Sequence, residues 1–335
     1  MALVQIASPR VRLALLPTPL ERGPELPGGS RLWVKRDDLT GLGMGGNKVR
    51  KLEFLCGQAQ AVEARSLVTV GAAQSNHCRM TAAAGAVMGL ETHLVLSGDR
   101  PDTATGNQLL STLFGAQLHF TGAPETHWGE LAIATEALTD ELRADGAAPF
   151  EIPIGGSTPV GALGYLNAYL ELMDQCRDLG ITPAAVVHAS SSGGTHAGLV
   201  AGRAIWRAQG HDAPPVVAIG VAQGVNQGQP DIGELATAAL GLIDDVGSAE
   251  VTADDIEIDP SWMGPDYAVP TTAADDAIRW AASRGGWVLD RVYTGKGFAG
   301  LLGHATHGRW GPGDDVVFIH TGGMPSVFAA DGVPA

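Results

Sequence analysis

Short apolar runs alternate with longer, more polar stretches along most of this chain. The apolar runs are continuous in valine, isoleucine and leucine, as in SLVTVG at 66–71, and do not alternate with polar residues. Continuous runs are typical of strands covered on both faces, and intervening helices imply right-handed crossovers between parallel strands. The predicted strands are 66–71, 92–96, 118–121, 150–154, 185–188, 216–221, 287–289 and 316–319, with helices at 76–88 and 127–145. The sequence therefore predicts an α/β fold with open, twisted, mostly parallel sheets flanked by helices.

Length and charge limit the classes of partner. A chain of 335 residues corresponds to roughly two domains at about 150 residues each. Its 21 basic and 36 acidic side chains give a formal net charge of −15. A surface this acidic repels phosphate backbones and anionic lipids, so nucleic acids and membrane surfaces are disfavoured as partners. No apolar run approaches the roughly 20 residues that span a bilayer.

The cysteines indicate the redox environment. Cys56, Cys78 and Cys176 are widely and irregularly spaced, which matches neither a disulfide framework nor a zinc site. We therefore predict a protein of the reduced cytoplasm.

The most informative loop precedes a helix predicted to begin at Lys48. Gly45 and Gly46 allow the backbone to approach a flat or anionic ligand closely, and Asn47 is expected to cap the helix. Lys48 and Lys51 then lie in the first turn, where the positive end of the helix dipole disfavours a protonated amine. A free amine is what imine formation with an aldehyde requires. The alternative is an ordinary basic helix start that binds an anion.

A second loop, GAAQSNH at 71–77, follows a predicted strand and opens the helix at 76–88. Its backbone amides, together with the side chains of Ser75 and Asn76, would form a pocket suited to a carboxylate. The alternative is a plain helix N-cap, a role that serine and asparagine often fill.

A third loop, SSSGGTHAG at 190–198, also lies between a predicted strand and a helix. A turn of small residues at a helix N-terminus can cradle a phosphate. A dinucleotide site would need G-x-G-x-x-G and an acidic residue after the next strand, but that strand is followed by Ala222 and Gln223. The pattern favours a phosphate ester of mononucleotide size over NAD or ATP.

Two late segments, DRVYTGKG at 290–297 and HTGGMP at 320–325, place hydroxyl groups after short apolar runs. These hydroxyls could be structural or could face a ligand. His304 and His307 have a spacing that could hold a metal, but nothing near them in the sequence supplies a third ligand. No metal site is predicted.

Taken together, these loops resemble the fold-type II pyridoxal-phosphate enzymes, the tryptophan synthase β-like group. The similarity extends from LPTPL at 16–20 to TGG at 321–323. Its most specific parts are KRDDLTGLGMGGNKVRKLEFL at 35–55, QSNH at 74–77 and VYTGK at 292–296. The most similar branch holds D-cysteine desulfhydrase and 1-aminocyclopropane-1-carboxylate deaminase. The resemblance implies pyridoxal 5'-phosphate as cofactor, bound in a cleft between two α/β domains.

The resemblance also implies a role for each matching position. Lys48 would be the Schiff-base lysine, Lys51 a phosphate neighbour, and Asn47 a contact of the cofactor's ring hydroxyl. The implied phosphate-binding positions are Ser191, Ser192, Gly193, Gly194 and Thr195, and either Thr294 or Thr321 would contact the pyridine nitrogen. The implied substrate-binding positions are Gln74, Ser75, Asn76 and His77, with Tyr267 and Tyr293 lining the substrate side. The catalytic residues would be Lys48, Ser75, Tyr267 and Tyr293. This chain departs from the family pattern at Ser191, where a glycine is usual, and at Arg291, where a proline is usual.

The implied activity is β-elimination on a small amino acid, with D-cysteine giving pyruvate, sulfide and ammonia. Opening a cyclopropane ring calls for strong electron withdrawal, and the deaminases place glutamate and leucine where this chain has Thr294 and Thr321. A hydroxyl partner leaves the pyridine nitrogen less protonated, which suffices when the leaving group is good. L-Cysteate sulfo-lyase and 1-aminocyclopropane-1-carboxylate deaminase activities remain alternatives. Outside this class, a non-catalytic protein that binds pyridoxal phosphate is the alternative.

The resemblance further implies the domain organisation. Residues 1–52 and 160–335 would form a large cofactor-binding domain, and residues 53–159 a small α/β domain that carries the Ser75 loop. The expected partners are a small amino-acid substrate and a second copy of the chain in a homodimer.

Overall fold

A computed structural model describes residues 8–124 and 127–329 of the chain. Its strands are β1 (Leu20–Glu25), β2 (Arg31–Lys35), β3 (Ser66–Gly71), β4 (Glu91–Leu96), β5 (Gln117–Phe120), β6 (Pro149–Ile152), β7 (Pro183–Ser190), β8 (Val216–Gly220), β9 (Glu257–Asp259) and β10 (Asp315–Ile319). Its helices are α1 (Lys48–Ala61), α2 (Asn76–Met88), α3 (Gly106–Leu113), α4 (Trp128–Ala144), α5 (Pro159–Leu179), α6 (Gly194–Ala208), α7 (Gln223–Asn226), α8 (Ile232–Leu240), α9 (Thr272–Gly285) and α10 (Thr294–Thr306).

Two sheets organise these elements. The larger sheet has the strand order β1-β2-β10-β7-β8-β9, and the smaller has the order β5-β4-β3-β6. All neighbouring strands run parallel except β1 and β2, which form an antiparallel edge. Because the strands are parallel, the loops that follow them gather at one edge of each sheet. The predicted α/β class with mostly parallel sheets is confirmed.

Helices cover both faces of the larger sheet. Apolar side chains of α5, α6 and α8 pack on one face, and those of α9 and α10 pack on the other. The smaller sheet packs against α1 and α2 on one side, and α4 contacts β3, β4 and β6. Within the described ranges, no helix has both the length and the apolar character needed to cross a bilayer.

One predicted strand is wrong. Residues 287–289 form no strand, although Trp287 and Leu289 are buried. The indole of Trp287 packs against Phe298 and donates a hydrogen bond to Glu21 Oε1 at 2.7 Å. Trp287 and Leu289 are therefore buried by side-chain packing. The alternation of buried and exposed residues resembles that of a strand, but the backbone of this segment pairs with no other strand in the described ranges.

The predicted domain division remains a prediction. All four strands of the smaller sheet lie between residues 53 and 159. The boundary after residue 52, however, falls within α1, which is a continuous helix of 14 residues. The chain therefore passes between the two sheets along a helix, and the loop and short turn around residues 153–158 form the return.

Candidate active site

A cavity of about 440 Å³ lies where the loops after the strands of both sheets meet. Segments that follow β3, β6, β7, β8 and β10 contribute to its lining. The volume lies within the range of small-molecule and cofactor sites, and its position is where ligands of open α/β sheets bind.

The cavity brings most of the sequence-predicted residues together. Those that line it are Asn47, Lys48, Ser75, Asn76, His77, Ser191, Ser192, Gly193, Thr195, Tyr267, Tyr293 and Thr321. Four other predicted residues do not line it: Gln74, Lys51, Gly194 and Thr294. These four residues lie just behind the lining, where they contact other parts of the protein, as described below.

Lys48 is the first residue of α1, as predicted. Its half-buried side chain opens onto the cavity and is otherwise surrounded by protein. Burial lowers the pKa of the Lys48 amine to about 8, against a small opposing effect of Cys78. A substantial share of this amine is therefore neutral near pH 8, and a neutral amine is what nucleophilic attack on an aldehyde requires.

The predicted cap at Asn47 is wrong, because its side chain makes no bond to the helix backbone. Asn47 already has helical φ and ψ angles of −61° and −26°, whereas a capping residue needs an extended backbone to turn its side chain back. Its amide Nδ2 instead donates to Thr195 Oγ1 at 3.1 Å. Asn47 therefore links the start of α1 to the first turn of α6.

Lys51 lies one turn further along α1 and is buried. Burial, and then the charge of Lys48, hold the pKa of the Lys51 amine well below its usual value. The amine donates to the carbonyl oxygen of Gly155 at 3.1 Å. A Cβ atom on Gly194 would lie 2.9 Å from the same amine, so Lys51 lies directly beneath the loop at 191–195.

Hydrogen bonds join the loop at 191–195 to the segment that follows β6. Ser157 Oγ donates to Ser192 Oγ at 2.9 Å and accepts from the backbone amide of Gly194 at 3.2 Å. Gly193 precedes α6 with a φ of +79°, a conformation that favours glycine. Ser191 has no left-handed φ, so its side chain is accommodated without backbone strain.

Ser75 caps the N-terminus of α2, and its loop forms part of the cavity wall. Ser75 Oγ accepts from the amide of Cys78 at 3.1 Å, and Asn76 Oδ1 accepts from Asn107 Nδ2 at 3.0 Å. The side chain of Gln74 departs from the expected position: it donates to Thr105 and accepts from the amide of Asn107, at 3.1 and 2.9 Å. Gln74 therefore holds α3 against this loop and leaves Ser75 and Asn76 to face the cavity.

His77 has a defined tautomer. Thr69 Oγ1 donates to the carbonyl oxygen of Ile152 at 2.7 Å, so it must accept from His77 Nε2 at 2.9 Å. Burial, followed by the charges of Lys48 and Lys51, lowers the pKa of His77 well below its usual value. The neutral ring therefore carries its proton on Nε2, and Nδ1 remains a buried acceptor with no described partner.

Aromatic rings form another part of the lining. The hydroxyls of Tyr267 and Tyr293 are hydrogen-bonded to each other, and their ring centroids lie 6.1 Å apart. Trp128, the first residue of α4, contacts Tyr267 edge to face at 5.8 Å. The sequence motifs do not single out Trp128, because a lone tryptophan at a helix start carries no recognisable pattern.

Asp290 is a second lining residue that the motifs do not identify. Its carboxylate accepts from Thr294 Oγ1 at 2.7 Å and from the amides of Val292 and Tyr293 at 2.8 and 2.7 Å. Thr294 Oγ1 also accepts from the Asp290 amide at 2.9 Å, which commits this buried hydroxyl to Asp290. Of the two threonines predicted at the pyridine nitrogen, only Thr321 lines the cavity.

Comparison with known proteins settles the family. Residues 11–322 match the family described as "Pyridoxal-phosphate dependent enzyme". This chain belongs to the family of pyridoxal-phosphate dependent enzymes. It is 39% identical to a D-cysteine desulfhydrase of Salmonella newport (strain SL254), over 96% of both chains. A D-cysteine desulfhydrase of Salmonella choleraesuis (strain SC-B67) is similar to the same degree.

A solved structure supports the same placement. The crystal structure of a homologue of ACC deaminase has a TM-score of 0.83 and 35% sequence identity, and it covers 96% of this chain and 94% of its own. The predicted cofactor, pyridoxal phosphate, is confirmed by the family.

The residues of this pyridoxal-phosphate enzyme fit the cofactor. Ser190 Oγ is buried in the cavity wall without a described hydrogen-bond partner, which leaves it available to a polar ligand. A Cβ atom on Gly155 would lie 3.4 Å from Lys48 Nζ and 2.2 Å from Ser192 Oγ, so glycine keeps open the space between the amine and the loop. The Lys48 amine suits an aldehyde, and the hydroxyl and backbone amide donors of the loop at 191–195 suit a phosphate ester.

Proposed function

We propose that this enzyme catalyses β-elimination on D-cysteine, which with one water gives pyruvate, hydrogen sulfide and ammonia. The names of its relatives at 39% identity suggest this substrate. The observation that carries the proposal is the position of Lys48. Its amine opens onto the cavity with a pKa of about 8, beside the Ser75 loop and the loop at 191–195.

The cofactor would be held by residues on three segments. The loop from Ser191 to Thr195 would bind the phosphate, Asn47 the ring hydroxyl and Thr321 the pyridine nitrogen, with Lys48 joined to the aldehyde. Bound there, pyridoxal phosphate supplies a group that condenses with the substrate's amine and withdraws electrons from Cα.

The protein's own groups would orient the substrate and move its proton. Ser75 and Asn76 would bind the carboxylate, since they lie at the N-terminus of α2, where backbone amides and the helix dipole favour an anion. Lys48 Nζ, once released from the cofactor, would accept the proton from Cα as a general base. Tyr267 and Tyr293 would lie beside the β-substituent that leaves.

The charges of the cavity favour a thiol over a sulfonate. Among the described lining residues, Lys48 and Asp290 are the ones that carry a formal charge, because His77 is neutral. The sulfonate of L-cysteate would add a second anion to a site that already takes a phosphate and a carboxylate. Without a further cation to pair with it, its desolvation would remain uncompensated.

The pairing of Thr294 disfavours the deaminase alternative. Its hydroxyl donates to Asp290, whereas Thr321 lines the cavity and would offer a neutral hydroxyl to the pyridine nitrogen. A neutral partner does not favour a protonated pyridine nitrogen, and β-elimination of sulfide needs less electron withdrawal than opening a cyclopropane ring.

We further propose that the enzyme acts as a homodimer in the cytoplasm. Cys56, Cys78 and Cys176 are free and buried, which suits a reducing compartment. Analytical ultracentrifugation at micromolar concentration tests the dimer, and a mass of one chain would exclude it.

A keto-acid assay on the purified holoenzyme tests the reaction. The panel is D-cysteine, L-cysteine, β-chloro-D-alanine, L-cysteate, D-serine and 1-aminocyclopropane-1-carboxylate. We expect pyruvate and sulfide in equal amounts from D-cysteine, and little product from L-cysteate. Sulfite release from L-cysteate would identify L-cysteate as the substrate, and 2-oxobutanoate formation would identify 1-aminocyclopropane-1-carboxylate. Either result would show that the proposed substrate is wrong. A coloured holoenzyme that forms no keto acid would identify a non-catalytic binding protein.

A further inference from the structure

Trp128 reaches the cavity from the smaller sheet. It is the first residue of α4, which packs against β3, β4 and β6. Its side chain is half-buried and belongs to the cavity lining. The proposed chemistry gives this residue no task, although it is the largest side chain in the lining.

Three aromatic rings form a continuous wall. The ring planes of Trp128 and Tyr267 meet at 72°, and those of Tyr267 and Tyr293 meet at 62°. Edge-to-face contacts of this kind fix the rings relative to one another. The wall therefore runs from a helix of the smaller sheet to the loops that precede α9 and α10 on the larger sheet.

The wall differs chemically from the polar part of the lining. Lys48, Ser75 and Asn76 supply the polar groups for an amino acid's backbone, whereas the indole supplies apolar, polarisable surface. Sulfur interacts favourably with the edges of aromatic rings. Only Tyr267 separates Trp128 from Tyr293 along the wall, so the indole lies at the end of the wall away from Tyr293.

We propose that Trp128 is a specificity-determining residue that limits the length of the substrate's β-substituent. This inference rests on the proposed function, in which the tyrosines lie beside that substituent. A short, uncharged substituent such as a thiol fits within the wall, and a longer one meets the indole. Replacing Trp128 by alanine removes the ring and extends the space available to the side chain.

Binding of amino acids that lack a leaving group isolates this effect from turnover. D-Alanine, D-norvaline and D-phenylalanine are titrated into the holoenzyme, and the change in visible absorbance of the cofactor gives each dissociation constant. In Trp128→Ala we expect the affinity for D-phenylalanine relative to D-alanine to rise by at least about tenfold. Trp128→Phe, which shortens the wall less, is expected to give a smaller rise.

Trp280→Phe is the matched control. Trp280 is also half-buried and packs against an aromatic ring, that of Phe298, but it does not line the cavity. Its relative affinities should equal those of the wild type. An unchanged ratio in both Trp128 variants would overturn the inference.

The two proposals fail in different ways. If the wild type forms no keto acid from D-cysteine, the proposed reaction is wrong, and the binding ratios still report the size limit. If D-cysteine is turned over and Trp128→Ala binds the series in the wild-type order, the reaction stands and the role of Trp128 is wrong.

Discussion

The backbone amide of Asn47 donates a hydrogen bond to the carbonyl oxygen of Thr321 at 2.9 Å. Asn47 immediately precedes α1, and Thr321 lies two residues beyond β10. The bond therefore fixes the start of the lysine helix against the edge of the larger sheet. Gly46 makes this approach possible, because its φ is +129° and a Cβ atom there would lie 3.2 Å from the Thr321 carbonyl oxygen.

Gly46→Ala should weaken cofactor binding, because the added methyl group strains the backbone and pushes Thr321 from Asn47. Gly115→Ala is the matched control: Gly115 has a φ of +81°, and a methyl group there would meet nothing within 4 Å. Both variants should lose about 1 kcal/mol of unfolding free energy from backbone strain alone. Equilibrium titration with pyridoxal phosphate should show weaker binding only in Gly46→Ala, and equal affinities in the two variants would contradict the account.

Thr294 and Thr321 should respond differently to replacement by alanine. Thr294→Ala removes a buried hydrogen bond to the Asp290 carboxylate and should lower the unfolding free energy by about 2 kcal/mol. Thr321→Ala should change stability less and should shift the visible absorbance of the bound cofactor, because Thr321 lines the cavity. Denaturation curves and absorbance spectra of both variants check this, and a spectral shift confined to Thr294→Ala would reverse the assignment.

A buried ion pair should stabilise the lysine helix. Arg50, on α1, donates to both oxygens of Asp37 at 2.8 Å, and Tyr165 donates to the same carboxylate at 2.6 Å. Although burial raises the pKa of Asp37, the charge and hydrogen bonds of Arg50 outweigh it, and the pKa falls below its usual value. Arg50→Met removes the guanidinium that pairs with this buried carboxylate and with Glu171.

The expected loss for Arg50→Met is about 3 to 5 kcal/mol in unfolding free energy, measured by urea denaturation. Arg143→Met is the control, since Arg143 forms an exposed pair with Asp140 at 2.6 Å. That change should cost less than about 0.5 kcal/mol. Similar losses in the two variants would show that the buried pair adds nothing beyond a surface pair.

The pH dependence of cofactor uptake should follow the amine of Lys48. Burial lowers its pKa from 10.5 to about 8, so the neutral amine becomes abundant as the pH rises through about 8. The rate at which the cofactor-free protein takes up pyridoxal phosphate should rise about tenfold per pH unit below pH 7 and level off above pH 8. Stopped-flow absorbance measures this rate. A rate that keeps rising to pH 10 would indicate an amine with an unperturbed pKa.

Sequence patterns predict the parts of the fold that local chemistry determines. Continuous apolar runs identify the central parallel strands, and small-residue loops identify the edge where the cavity lies. They do not identify the edge strand β1, because its sequence is LERGPE, in which glycine, proline and charged residues obscure any strand pattern. The region 224–260 also carries no clear periodicity, although Asp231 caps α8 by accepting from the amide of Glu234, which is a recognisable start signal.

The sequence predicts those residues of the candidate site that lie within recognisable motifs. Lys48 and the loops around Ser75 and Ser192 follow from glycine-rich or polar turns at helix starts. Asp290 and Trp128 do not, because their positions depend on how distant segments pack together. The hydrogen bond of Thr294 to Asp290 likewise decides which threonine faces the cavity, and no spacing in the sequence encodes that choice.

Borohydride reduction of the holoenzyme followed by peptide mapping tests the central claim most directly. The chain has four lysines, Lys35, Lys48, Lys51 and Lys296, and fragmentation of the labelled peptide distinguishes them. The account predicts one reduced pyridoxyl adduct per chain, on Lys48. An adduct on Lys51 or another lysine, or none from freshly prepared coloured enzyme, would contradict it.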